Sequence, residues 1–148
     1  MRKQWVTATA LALSLIAGGC ARQPEAVEPG VLQEVGKIGT IIWRERDTGL
    51  SGVETVVTDI FLIDVGGETE EASLRKAVAF LRSRGWVTSV DDSPRNVWLQ
   101  SPKWKGANLG VSSLRASPEY EQPAVKQTIE RQGVDPDALV TVSAYVGW

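Results

Sequence analysis

The chain reads as an α+β protein, a mostly antiparallel sheet with two helices on one face. Two observations support this. Short β-branched and aromatic runs recur across residues 38–148, joined in places by hairpin-length turns, and two stretches carry helical start, stripe and stop signals. The expected element order is β-β-α-β-β-β-α-β, all in one domain spanning 38–148.

Ile38 to Arg46 (IGTIIWRER) begins apolar and ends in alternating charge, the pattern of an edge strand, and Asp47-Thr48-Gly49 is a turn signal. Val53 to Val65 (VETVVTDIFLIDV) is the longest β-type run. Val53, Thr55, Val57, Phe61 and Ile63 share one face, and Val56, Ile60 and Leu62 share the other. Apolar content on both faces argues for an interior strand covered on each side.

Thr69 is a good N-cap, and Glu70 and Glu71 suit the positive end of the helix that follows. Leu74, Ala77, Val78 and Leu81 fall at i, i+3, i+4 and i+7, and Gly85 supplies the stop. Trp86 to Val90 and Val97 to Gln100 flank a turn-rich loop and predict a hairpin. A second loop, Ser101 to Gly106 (SPKWKG), leads to a strand over Asn108–Leu114. Ser117-Pro118 and Pro123 fit a helix started in two steps, with Val125 and Ile129 as its stripe and Gly133 as its stop. Ala138 to Val146 closes the order as a strand. The β-α-β-β-α-β part of this order resembles a ferredoxin-like arrangement, a likeness of topology that carries no activity.

Ahead of the domain, Met1-Arg2-Lys3 is a basic start, and Trp5 to Ala17 is apolar apart from Thr7, Thr9 and Ser14. That run is shorter than the roughly 20 residues a spanning helix needs and has the length and flanks of a secretory leader. Ala17-Gly18-Gly19 then lead into Cys20, the only cysteine. This stretch resembles the lipobox of bacterial lipoproteins, with Ala17 standing where Leu is commonest. The resemblance implies a signal peptide over 1–19, removed on export, and a Cys20 thioether-linked to diacylglycerol at the new N-terminus. It implies a membrane partner reached through the lipid anchor, on the extracytoplasmic side. With Ala21 after the cysteine, that is the outer membrane in a Gram-negative cell. The Arg-, Ala-, Gly- and Val-rich composition is similar to small high-GC actinobacterial lipoproteins of the cell membrane. More than one acyl chain makes such an anchor stable. Residues 20–37, polar and bearing Pro24, Pro29 and Gly30, are expected to form a flexible tether reaching about 20–25 Å. Val31, Leu32 and Val35 leave open a short helix docked on the domain.

The formal charge is −2 and no basic run is present, which disfavours nucleic acid as a partner because that affinity rests on neutralising phosphates. There is no His, so imidazole bases, Ser-His-Asp triads and His metal ligands are excluded. A lipidated Cys20 removes thiol chemistry. No phosphate-binding, dinucleotide or calcium-loop motif is present, and no cofactor or metal is expected. Carboxylate-only hydrolysis stays formally open, with Asp59, Asp64, Asp91, Asp92 and the Glu68/Glu70/Glu71 group as candidates. Most of these acids have a plain role in a turn or helix start. Asp59, on an apolar strand face, either pairs with Arg44 of the neighbouring strand or marks a polar site.

Trp43, Trp86 and Trp98 fall in expected strands and are read as core or core-edge aromatics. Trp104 differs, because Lys103 and Lys105 flank it in a loop. Either it contacts a sugar, partner or lipid surface with those lysines, or it folds back over the sheet edge. The sequence thus leads to an expectation of a lipid-anchored, non-catalytic binding domain with an envelope protein or wall component as partner. A carbohydrate- or lipid-contacting module using Trp104 is the alternative.

Overall fold

The computed structural model describes residues 23–147, so Cys20 and the leader lie outside the described residues. Over the described residues the fold is α+β: three α-helices and one six-stranded sheet in the order β1-β2-β6-β5-β4-β3, every neighbouring pair antiparallel.

Helix α1 (Pro29–Gly36) precedes the sheet. Strands β1 (Thr40–Ser51) and β2 (Glu54–Asp64) form a long hairpin. Helix α2 (Glu70–Ser83) follows, capped by Thr69, whose hydroxyl accepts from the Ala72 amide at 3.1 Å. Strands β3 (Val87–Asp92), β4 (Asn96–Gln100) and β5 (Ala107–Ser113) form a meander. Two 3-10 turns (Leu114–Ala116 and Pro118–Glu121) lead into helix α3 (Pro123–Gln132). Strand β6 (Leu139–Val146) then inserts between β2 and β5.

Alternation along the strands separates two faces. One face presents Phe61, Ile63, Val97, Leu99, Leu109, Val111, Val140, Val142 and Ala144, and α1 and α2 pack on it to form the main core. The other face holds a smaller cluster of Leu62, Leu114, Val125 and Leu139, covered by α3 and the 3-10 turns. The two expected helices therefore lie on opposite faces, not on one. Sequence periodicity fixes which stripe of α3 is buried, but the sheet face it meets is set by the 3-10 turns that lead out of β5.

The ferredoxin-like order is not confirmed: α2 links β2 to β3, and three strands stand between them. The turn expected at Asp47-Thr48-Gly49 is also corrected. These residues continue β1, in register with Thr58, Val57 and Val56, and the chain reverses at Gly52 (φ 66°) and Val53. β1 is an edge strand, as expected, and β2 is an interior strand with residues buried on both faces.

The expected tether is in part folded. Pro29 opens α1, a favoured place for a residue lacking the amide hydrogen. Val31 and Val35, spaced i, i+4, are fully buried in the main core, and Val27 joins them. The Arg84 side chain closes the contact, donating from Nε and Nη2 to both oxygens of Glu34 at 2.8 and 2.7 Å. The folded unit thus begins near Val27, ahead of residue 38.

Candidate functional site

The expected contact residues sit in the β4–β5 loop. The Ser101 hydroxyl accepts from the backbone amides of Lys103 and Trp104, both at 3.1 Å, which fixes the loop. The Trp104 indole turns inward. It lies 6.1 Å from the ring of buried Trp86 and against Gly30 of α1, where a Cβ would come within 2.9 Å of its Cζ2. The Lys103 ammonium sits 4.4 Å from the Trp104 ring centre, a cation–π distance. Trp104 fastens the loop to α1, while Lys103 and Lys105 remain exposed. The bare glycine at residue 30 admits the ring, and nothing local to the loop signals that approach.

The nominated acids other than Glu68 are engaged singly. The Asp59 side chain is fully buried and accepts from Arg44 Nη2 at 3.2 Å and from Arg46 Nε and Nη2, both at 3.0 Å. Arg44 was expected there, and Arg46 joins it. The charge-assisted bonds hold the Arg46 guanidinium above its ordinary pKa. Asp64 accepts from the Gly66 amide, Asp91 accepts from Ser93, and Asp92 pairs with Arg95, each within a turn. The Ser93 bonds, and secondarily Arg82, hold the Asp91 carboxyl below the usual range. Arg115 sits between Glu70 and Asp137, and Arg75 faces Glu71 one turn along α2. Among the described residues, no three His, Cys, Asp or Glu side chains gather as a metal site would require.

A different surface stands out. Helix α3 and the 3-10 turns cover only one end of their sheet face. The covered end includes Thr141, whose hydroxyl bonds to that of Ser117 at 2.9 Å. The other end is an open platform whose rows follow from strand register. One row runs Val90, Trp98, Gly110, Ser143 and Ile60, and the next runs Gln100, Asn108, Tyr145 and Thr58. Trp98 and Tyr145 are half-buried, and Val90 is exposed. Trp98 extends over Gly110, its Nε1 and Cδ1 within van der Waals reach of that position. The Asn108 amide donates to the carbonyls of Gly106 and Gly147 at 3.0 and 3.2 Å, which fixes its orientation. Ser89, Val90, Trp98, Gln100, Asn108, Tyr145 and Gly147 line a shallow hollow of about 390 Å³.

This platform combines two aromatic rings with amides and hydroxyls, and among the described residues none that lines the hollow is charged. Such a set can stack on a flat apolar ring face and exchange hydrogen bonds with neutral polar groups. Sequence reasoning had placed Trp98 in the core or at its edge. The signal that identifies it is alternation: Val97 and Leu99 are buried, whereas Trp98 and Gln100 point the other way, as do Asn108, Gly110 and Ser112 on β5. The register that aligns the platform across five strands is not visible in one sequence.

Compared with known families, curated proteins and solved structures, the chain matches no family model, no curated protein and no solved structure.

Proposed function

We propose that this chain is an extracytoplasmic protein anchored to the bacterial membrane through lipid on Cys20, and that its domain works by binding an envelope protein or wall component. The open sheet platform around Trp98 carries the binding half of this proposal. A half-covered antiparallel sheet with an aromatic pair is a surface that a partner can complete. The leader and Cys20 support the anchoring half.

The intact mass of membrane-extracted protein tests the anchor. The expected chain lacks residues 1–19 and carries diacylglycerol, with or without a further acyl group, on Cys20. An unmodified Cys20 contradicts the reading.

The uncharged lining of the hollow favours a second reading, a neutral saccharide of the wall as the ligand. The contact then moves from Trp104 to Trp98. Titrating the protein with wall glycan fragments should quench tryptophan emission, and Trp98→Ala should remove the response while Trp104→Ala keeps it. An unchanged spectrum on saturation with those fragments discards the saccharide and leaves the protein-partner reading.

A further inference from the structure

Strand β6 ends its pairing with β2 at Tyr145 opposite Thr58. Among the described residues, 54–57 of β2 pair only with 48–51 of β1, so the hairpin runs on past the sheet as a two-stranded ribbon. Its four rungs project about 13 Å at the usual rise of a strand. At the tip, Leu50 is 79% exposed and Val53 is 100% exposed. Two-stranded ribbons gain little from apolar residues turned to water, and a single Gly-Val tip needs neither side chain to close.

Two further features share that end of the molecule. The β4–β5 loop follows Gln100, which pairs with Asn108, and Asn108 pairs with Tyr145, so exposed Lys103 and Lys105 lie at the same sheet end as the ribbon. The described chain also begins there: Gln23 and Pro24 line one groove with Leu50, Ser51, Val53 and Gly147. Cys20 is three residues before Gln23, a distance of at most about 11 Å along an extended chain.

We infer that this end of the sheet rests on the bilayer, with Leu50 and Val53 inserted at the level of the lipid headgroups and Lys103 and Lys105 beside the phosphates. The inference rests on the anchoring of Cys20 proposed above. Exposed Asp47, Glu54 and Glu25 line the same groove. They offset the lysines, so the contact is apolar and does not depend on anionic lipid. The platform around Trp98 then faces sideways, parallel to the membrane surface and open to the envelope space.

The test uses the acylated protein, purified from membranes and reconstituted in phosphatidylcholine vesicles. Leu50→Cys, Val53→Cys and Gln127→Cys, each at an exposed position, carry an environment-sensitive fluorophore. Some of the lipids bear a quencher in the acyl chain. The labels at 50 and 53 should show blue-shifted emission and quenching, and the label at 127, on α3, should show neither. A label at 53 that is as water-like as that at 127, on vesicle-bound protein of acylated mass, overturns the inference and leaves the anchor standing. Protein without acyl chains overturns the anchor and the inference together.

Discussion

The Trp98 indole reaches across to Gly110 of the neighbouring strand, its Nε1 lying 3.4 Å from where a Cβ would stand. Trp98 is only partly buried on the open sheet face, whereas Trp86 is 3% exposed in the main core. The two tryptophans should therefore respond differently to truncation. Trp86→Ala should cost about 3–5 kcal/mol, as for a large buried aromatic. Trp98→Ala should cost less than that, because its ring is only partly buried. Urea midpoints of the two variants check this, and equal losses would mean that Trp98 is a core residue.

Asp59 and its two arginines should show an asymmetry. Removing both guanidiniums, in Arg44→Ala with Arg46→Ala, leaves a fully buried carboxylate without a partner. Breaking a buried pair in this way costs about 3–5 kcal/mol. Asp59→Asn should cost less, because Arg44 and Arg46 are each about half exposed, with side-chain accessibilities of 48% and 52%, and can turn to solvent. Denaturant titration of both variants checks the order, and a larger loss for Asp59→Asn would contradict it.

The Glu34–Arg84 pair links α1 to the end of α2 and should make stability depend on acid. The Arg84 hydrogen bonds hold the Glu34 carboxyl down at about 2, with smaller help from Lys37 and against the cost of burial. The folded value lies below the unfolded one of about 4.3, so the stabilisation is complete above that pH. It is lost as pH falls from there through about 2. Glu34→Gln should cost about 1.5–3 kcal/mol at neutral pH, the range for hydrogen bonds to charged groups. Its stability should decline less steeply in acid than the parent's. Urea midpoints measured from pH 7 downward check both expectations, and parallel curves for parent and variant would contradict the linkage.

Gly30 should tolerate little. A methyl group there meets Trp104 at 2.9 Å, and overpacking of this kind costs about 1–3 kcal/mol. Gly30→Ala should shift the near-ultraviolet circular dichroism of the tryptophans along with the melting temperature. Unchanged spectra and stability would mean that the indole is free to move away.

Much of this architecture was legible in the sequence because it depends on local signals. The Thr69 cap, the Leu74–Leu81 stripe and the paired starts at Pro118 and Pro123 each rest on residues within one or two turns. What local pattern could not supply was pairing at a distance. The sheet face beneath α3, the insertion of β6 between β2 and β5, and the approach of Gly30 to Trp104 all join residues far apart in the chain. Asp47-Thr48-Gly49 misled for a related reason: its turn residues are held in a strand by pairing with Val56, Val57 and Thr58. The platform around Trp98 was hidden in the same way, since each strand shows only alternation and register alone assembles the surface.

The central claim is that the open platform binds an envelope component, and photo-crosslinking in intact cells tests it most directly. A crosslinking residue placed at Gln100, on the platform, is compared with one at Gln127, on the exposed side of α3. The account predicts a discrete adduct from position 100 that disappears in Trp98→Ala, and none from position 127. An adduct from position 127 alone, or one from position 100 that persists without Trp98, would contradict it.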